Sequence, residues 1–229
     1  MKIAIIPARG GSKRIPKKNI KLFCGKPIIG YAITTAISSG LFDKVVVSTD
    51  CFEIAEIAKQ FGAEVPFMRD PALADDFAPT REVVQDALNF FEQTQSIDYI
   101  CCIYPTTPFI NPEQLINSFD MLNQSNKKNA CFSATEFHYS PYRGFTQTEN
   151  GLELLFPQHV SNRSQDLQKA YHDAGQFYWY KTINDKEIKK VIDSSDALIH
   201  ILPHYLVHDI DTQDDWVRAE LYYKAMKQN

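Results

Sequence analysis

Short apolar runs recur along the chain, and the stretches between them carry apolar residues at three- and four-residue spacing. Residues 2–7 (KIAIIP) are isoleucine-rich and closed by Pro7 and the Gly10-Gly11 pair, which predicts a buried strand. Residues 27–38 (PIIGYAITTAIS) have helical spacing and stop before Gly40, and 44–48 (KVVVS) read as a second buried strand with Thr49-Asp50 at its carboxyl end. The alternation continues with helices over 51–61 and 80–93, a strand at 99–104 (YICCIY), a helix over 111–123 and a strand at 130–134. From 136 to 175 the pattern dissolves into His, Pro, Tyr and polar residues around an Asn150-Gly151 hairpin signal. Strands resume at 176–181 (QFYWYK) and 200–202, and 212–227 closes the chain as a helix.

Strands this apolar must be covered on both faces. Their alternation with helices predicts an α/β, three-layer domain with a mostly parallel, Rossmann-like sheet and ligands at the strands' carboxyl ends. We expect one domain over 1–229, with 136–175 as an arm inserted into it. The composition agrees, since 44% hydrophobic and 23% charged residues over 229 positions suit one ordinary domain. Five cysteines, an odd number without a C-x-x-C pair, argue against a disulfide framework or a four-thiolate zinc site and fit a reducing cytoplasm. Apolar runs fall far short of the roughly 20 residues that span a bilayer, and no signal-peptide pattern opens the chain, so neither membrane insertion nor export is expected.

Charge is distributed unevenly. Residues 1–42 carry eight Lys or Arg and no acid, whereas the remainder carries 16 positive against 28 negative charges. Six of those cations, Arg9, Lys13, Arg14, Lys17, Lys18 and Lys21, fall within 13 residues, a density that repels itself unless an anion sits among them. Nucleic acid is a poor candidate, because the rest of the chain is acidic and no interleaved aromatic series accompanies the basic run.

Two constellations carry chemistry. Arg9-Gly10-Gly11-Ser12-Lys13 follows the first strand and fits neither the P-loop nor the dinucleotide-binding pattern. Its logic is still that of a phosphate cradle: glycines let backbone N–H groups approach an anion, Lys13 and Arg9 add charge, and Pro16 turns Lys17, Lys18 and Asn19 back toward them. The second is His208-Asp-Ile-Asp-Thr-Gln-Asp-Asp215. In an extended segment Asp209 and Asp211 point the same way, and paired hard-oxygen ligands suit Mg²⁺. Thr212-x-x-Asp215 reads instead as a capping box. His200, His204 and His208 recur every four residues, but Pro203 disfavours the helix that would align them on a metal.

These segments, with VVVSTD, Arg69-x-Pro-x-Leu-Ala-x-Asp76, Tyr104-Pro-Thr-Thr-Pro108 and Asp209-Ile-Asp-Thr, resemble the acylneuraminate cytidylyltransferase family over nearly the whole chain. Ala170-Tyr-His-Asp-Ala-Gly-Gln-Phe-Tyr178 is most similar to the branch acting on pseudaminic acid. The resemblance implies a nucleotide-diphospho-sugar transferase fold that moves CMP from CTP onto a nonulosonic acid, with Mg²⁺ as cofactor and a homodimer joined through the arm. It implies that Arg9, Lys13, Lys18 and Asn19 hold the CTP phosphates, with Gly10, Gly11 and Ser12 in the same loop. Arg69 and Thr80 would lie near cytosine, Asp209 and Asp211 on the metal, and Tyr104, His172, Gln176 and Arg143 toward the sugar, Arg143 by reaching a partner's site. Arg9, Lys13, Lys18 and Asp211 would carry the catalysis. Tyr104 and His172 stand where sialic-acid enzymes carry Gln and Arg, which points the sugar pocket away from N-acetylneuraminate. Two other readings stay open: a glycosyltransferase using Asp209-Ile-Asp211 as its metal motif, and a non-catalytic nucleotide sensor.

Overall fold

The computed structural model describes residues 1–183, 185–192 and 194–227. In chain order the regular elements are β1 (Lys2–Pro7), β2 (Leu22–Phe23), β3 (Lys26–Pro27), α1 (Ile29–Ser38), β4 (Lys44–Ser48), α2 (Phe52–Gln60), α3 (Thr80–Glu92) and β5 (Tyr99–Ile103). There follow α4 (Pro112–Gln124), β6 (Ala130–Glu136), β7 (Phe145–Thr148), β8 (Gly151–Leu154), β9 (Tyr171–Lys181), β10 (Ala197–Ile201) and α5 (Gln213–Lys227). Among the described residues no helix is long and apolar enough to cross a membrane.

Six strands form one sheet in the order β10-β6-β9-β5-β1-β4. β1 pairs in parallel with both β4 and β5, so that Ile5 lies between Val46 and Cys102, and β10 pairs in parallel with β6. β9 runs antiparallel to both neighbours and joins two parallel blocks. The sheet is thus mostly parallel, as expected, with one reversed strand at its centre.

Helices cover both faces, which explains the uninterrupted apolar runs. Ala4, Ile6 and Val47 face a core closed by α1, α2 and α4, whereas Ile3, Ile5 and Val46 face α3 and the segment around Ile188 and Val191. Cys101 and Cys102 go to opposite cores, as adjacent strand residues must. A third, smaller core lies under α5, where Phe23 meets Trp216 edge-on at 5.5 Å. It contains Ile15 from the basic loop and Ile210 from between the two acids, so one apolar nucleus anchors both segments.

β9 begins at Tyr171, five residues before the strand expected there, because its first half pairs with the end of β6: Ala134 opposes Asp173 and Glu136 opposes Tyr171. The excursion from the sheet therefore spans 137–170. Within it β7 and β8 form the hairpin signalled by Asn150-Gly151, and all eight of its strand residues are exposed. His200 lies on β10 and His204 in a separate 3-10 turn after Pro203, so the histidines share no helix.

Candidate active site

The chain leaves β1 at Pro7 and enters the basic loop. Gly10 donates its N–H to Asp50 Oδ1 at 2.8 Å. A Cβ on Gly10 would stand 3.0 Å from Cys51 Cβ, so glycine here admits the start of α2; Gly11 faces open space. Lys17 takes the left-handed conformation (φ 54°), which turns the chain into a 3-10 turn at Lys18–Ile20. Asn19 is buried there and donates through Nδ2 to the Arg9 carbonyl at 2.9 Å, tying the turn back onto the loop's start.

This loop forms one wall of a cleft of about 290 Å³ at the carboxyl end of β1. Arg9, Ser12, Lys13, Lys18 and Asn19 line that wall, and Arg69, Asp76, Thr80, Tyr104 and Asp211 contribute to the rest of the lining. Asp211 accepts from Arg14 Nη1 at 2.7 Å and from Lys18 Nζ at 3.3 Å. The glycine loop and the acid segment, some 200 residues apart in sequence, therefore meet on one cavity, as a shared polyphosphate site requires.

Acids already engage the loop's cations. Asp76 pairs with Arg9 Nη1 at 2.7 Å and also with Lys13 Nζ, and Lys17 pairs with Glu53 at 2.6 Å. The Lys13 bond and then the Arg9 bond hold the Asp76 carboxyl below its ordinary range, so it stays ionised. Such exposed pairs are weak in water, and a polyphosphate would exchange them for charge-assisted bonds of its own.

Arg69 differs from these mobile cations. It is 5% exposed and donates through Nε to Ser48 Oγ at 3.1 Å and through Nη2 to the Ser48 carbonyl. Burial pushes its guanidinium down to about 10, against the attraction of Asp50, leaving it charged near neutrality as a fixed part of the cleft floor. Asp209 and Asp211 flank the buried Ile210. Although Asp209 reaches solvent and does not line the cleft, partial desolvation and then the neighbouring Asp211 raise its carboxyl above the usual range. Thr212 and Asp215 form the expected cap: Asp215 Oδ2 accepts from Thr212 N at 2.8 Å, and Thr212 Oγ1 accepts from Asp215 N at 3.2 Å.

A second cleft, of about 420 Å³, adjoins the first and shares Thr80 and Tyr104 with it. The Thr80 and Tyr104 hydroxyls lie 3.2 Å apart, and the Tyr104 and Tyr178 rings pack at 5.4 Å. Tyr178 donates its hydroxyl to Asp173 Oδ2 at 2.7 Å. Asp173, Tyr178 and Tyr180 line this cleft beside Lys189 and Ile192.

Other expected sugar residues lie elsewhere. Gln176 is buried and donates through Nε2 to the Leu206 carbonyl at 2.5 Å, so it packs strand against loop. His172 is exposed, packs on Phe137 at 4.8 Å and lines neither cleft. Arg143 lies in the excursion, where it donates to the Asn162 carbonyl. The sequence motifs assign no role to Asp76, Asp173, Tyr178 or Tyr180. The signal for Asp76 was its place in an acidic segment of an otherwise apolar motif; for Asp173 no local signal existed.

With this geometry in view, comparison with known proteins is informative. A family model described as cytidylyltransferase matches residues 3–209. The pseudaminic acid cytidylyltransferase of Campylobacter jejuni subsp. jejuni serotype O:2 is 45% identical over 225 residues, covering 97% of this chain and 96% of its own. The CMP-N,N'-diacetyllegionaminic acid synthase of Legionella pneumophila subsp. pneumophila is 31% identical, covering 95% and 94%. Among solved structures, CMP:2-keto-3-deoxy-manno-octonic acid synthetase complexed with CTP superposes with a TM-score of 0.69 at 14% identity, over 100% of this chain and 99% of that one, which shows the shared fold. A cleft with a basic wall on this sheet, a family model spanning nine-tenths of the chain and close relatives of full length agree: the protein is a nucleotidyltransferase and belongs to the cytidylyltransferase family.

Proposed function

We propose that the enzyme transfers CMP from CTP to the anomeric hydroxyl of a nonulosonic acid, pseudaminic acid above others, and releases pyrophosphate. The observation that carries this reading is the pair of adjoining clefts, one cationic and one aromatic, joined at Thr80 and Tyr104. The 45% identity to a pseudaminic acid cytidylyltransferase supports the choice of sugar. Arg9, Lys13 and Lys18 hold the triphosphate, with the Gly10, Gly11 and Ser12 backbone beside it, Arg69 and Thr80 on the nucleoside side and Asn19 bracing the loop. The hydroxyl oxygen attacks the α-phosphorus in line as the bond to the β-phosphate breaks, and the hydroxyl proton passes to solvent. Charge grows on the leaving pyrophosphate, where the loop's cations stabilise the transition state more than the ground state.

Asp211 lines the cleft, and with Asp209 two residues away across the buried Ile210 it offers the hard-oxygen donors that suit a divalent cation. They would hold Mg²⁺, which when bound neutralises charge on phosphoryl oxygens. The five unpaired cysteines fit work in a reducing cytoplasm.

The excursion is proposed as the homodimer element. An isolated two-stranded hairpin is marginal in water, and this one exposes Phe145, Leu152 and Leu154, with Leu155 and Val160 following. A second copy would cover them, and Arg143 would then reach the partner's sugar cleft.

Incubation with CTP and Mg²⁺ and pseudaminic, legionaminic or N-acetylneuraminic acid tests the reading. Pyrophosphate release fastest with pseudaminic acid is expected; release with none of the three would overturn it.

A further inference from the structure

The centre of β9 contains an irregularity that bears directly on the second cleft. Phe132 of β6 opposes Tyr178, and Ala134 opposes Asp173, so four residues of β9 bulge out across from Ser133 alone. Ser133 Oγ accepts from both the Gln176 and Phe177 N–H groups, and Gly175 takes a left-handed φ of 62° while donating to Asp173 Oδ1 at 2.9 Å. In a regular strand, residues five apart point to opposite faces. The bulge cancels that parity and brings Asp173 onto the face of Tyr178 and Tyr180, where its carboxylate joins the cleft wall.

We infer that Asp173 is the specificity-determining acceptor of the sugar cleft: it receives donor groups of the sugar ring and turns the ring's acidic end toward the basic loop. This rests on the function proposed above. Tyr178 and Gly175 occupy one acceptor site on each carboxylate oxygen, and a carboxylate offers about four, so two remain for hydroxyl or acylamino N–H groups. Burial, then Tyr104 and Asp173, push the Tyr178 phenol far above its ordinary range, so it remains a donor and fixes the carboxylate. In a 2-keto sugar acid the carboxylate and the anomeric hydroxyl share one carbon. Repulsion by Asp173 therefore sends the reacting carbon toward the phosphate cleft, and the three rim cations that could oppose this, Arg81, Lys189 and Lys190, are each already engaged, the first two with Glu82 and Asp185.

Steady-state kinetics of wild type, Asp173→Ala, Asp173→Asn and Tyr178→Phe, varying CTP and sugar separately, tests the assignment. Asp173→Ala and the near-isosteric Asp173→Asn should each raise the sugar KM by about tenfold or more and leave the CTP KM within about twofold. Tyr178→Phe, which keeps the carboxylate, should cost less. Unchanged sugar KM, a parallel rise in both KM values, or a Tyr178→Phe effect equal to that of Asp173→Ala would overturn the inference while leaving the proposed reaction intact. Wild type inactive on every sugar acid would overturn the reaction itself, and this assignment with it.

Discussion

Two cations of the cleft, Lys13 and Arg69, have opposite physical roles, and substitution should separate them. Lys13 is 78% exposed and pairs with Asp76, so Lys13→Ala should leave the fold intact and cost about 10²- to 10³-fold in turnover, the usual loss for a transition-state donor. Arg69→Ala would strip partners from the Ser48 carbonyl and hydroxyl inside the protein and should cost about 2–4 kcal/mol of stability, read by denaturant unfolding. Equal loss of stability in the two variants would contradict this division. Lys13 was legible in the sequence because a dense basic run after a glycine turn needs an anion whatever the fold. The inward course of Arg69 was not, because burial of a lone arginine depends on the Ser48 carbonyl at the end of β4, 21 residues away.

The loop after Arg69 and the cap of α5 show how single elements tune the site. Asp76 occupies Arg9 and Lys13 ahead of any nucleotide, so Asp76→Asn should tighten CTP binding several-fold by calorimetry; unchanged or weaker binding would show that Asp76 does not compete with phosphate. The α5 cap makes a pH prediction. Hydrogen bonds from Thr212, its hydroxyl first and then its N–H, hold Asp215 down to about 2 from an ordinary 3.8. Because the folded value is the lower one, the stabilisation is complete above about pH 4 and disappears as pH falls through 2. Thermal midpoints of wild type and Asp215→Asn should differ at pH 7 and converge between pH 4 and 2; a gap independent of pH would refute it. The capping box was readable because its four-residue spacing encodes its geometry. The bulge of β9 was not, for QFYWYK alternates normally and only the partner strand reveals the three surplus residues.

At the scale of the molecule, the hairpin of β7 and β8 exposes apolar side chains, and if the proposed homodimer forms through it, wild type should run as a dimer and Leu152→Asp as a monomer in light scattering; equal masses would refute that role for the arm. The parallel blocks could be read from sequence because doubly covered strands are apolar throughout, whereas the reversal of β9 could not, since local periodicity carries no strand direction. That reversal also has a consequence for biosynthesis. Until residues 171–181 emerge from the ribosome, β5 and β6 each present a bare inner edge of unpaired backbone groups, although the hairpin of β7 and β8 has already been made. A nascent chain of about 170 residues then has the β4-β1-β5 block and a lone β6 without the strand that joins them, and closing the sheet is a long-range event that folds slowly and exposes the chain to aggregation. A polypeptide stopped at residue 170 should accumulate as insoluble aggregate or bound to chaperone, while the full chain refolds only as β9 slots home.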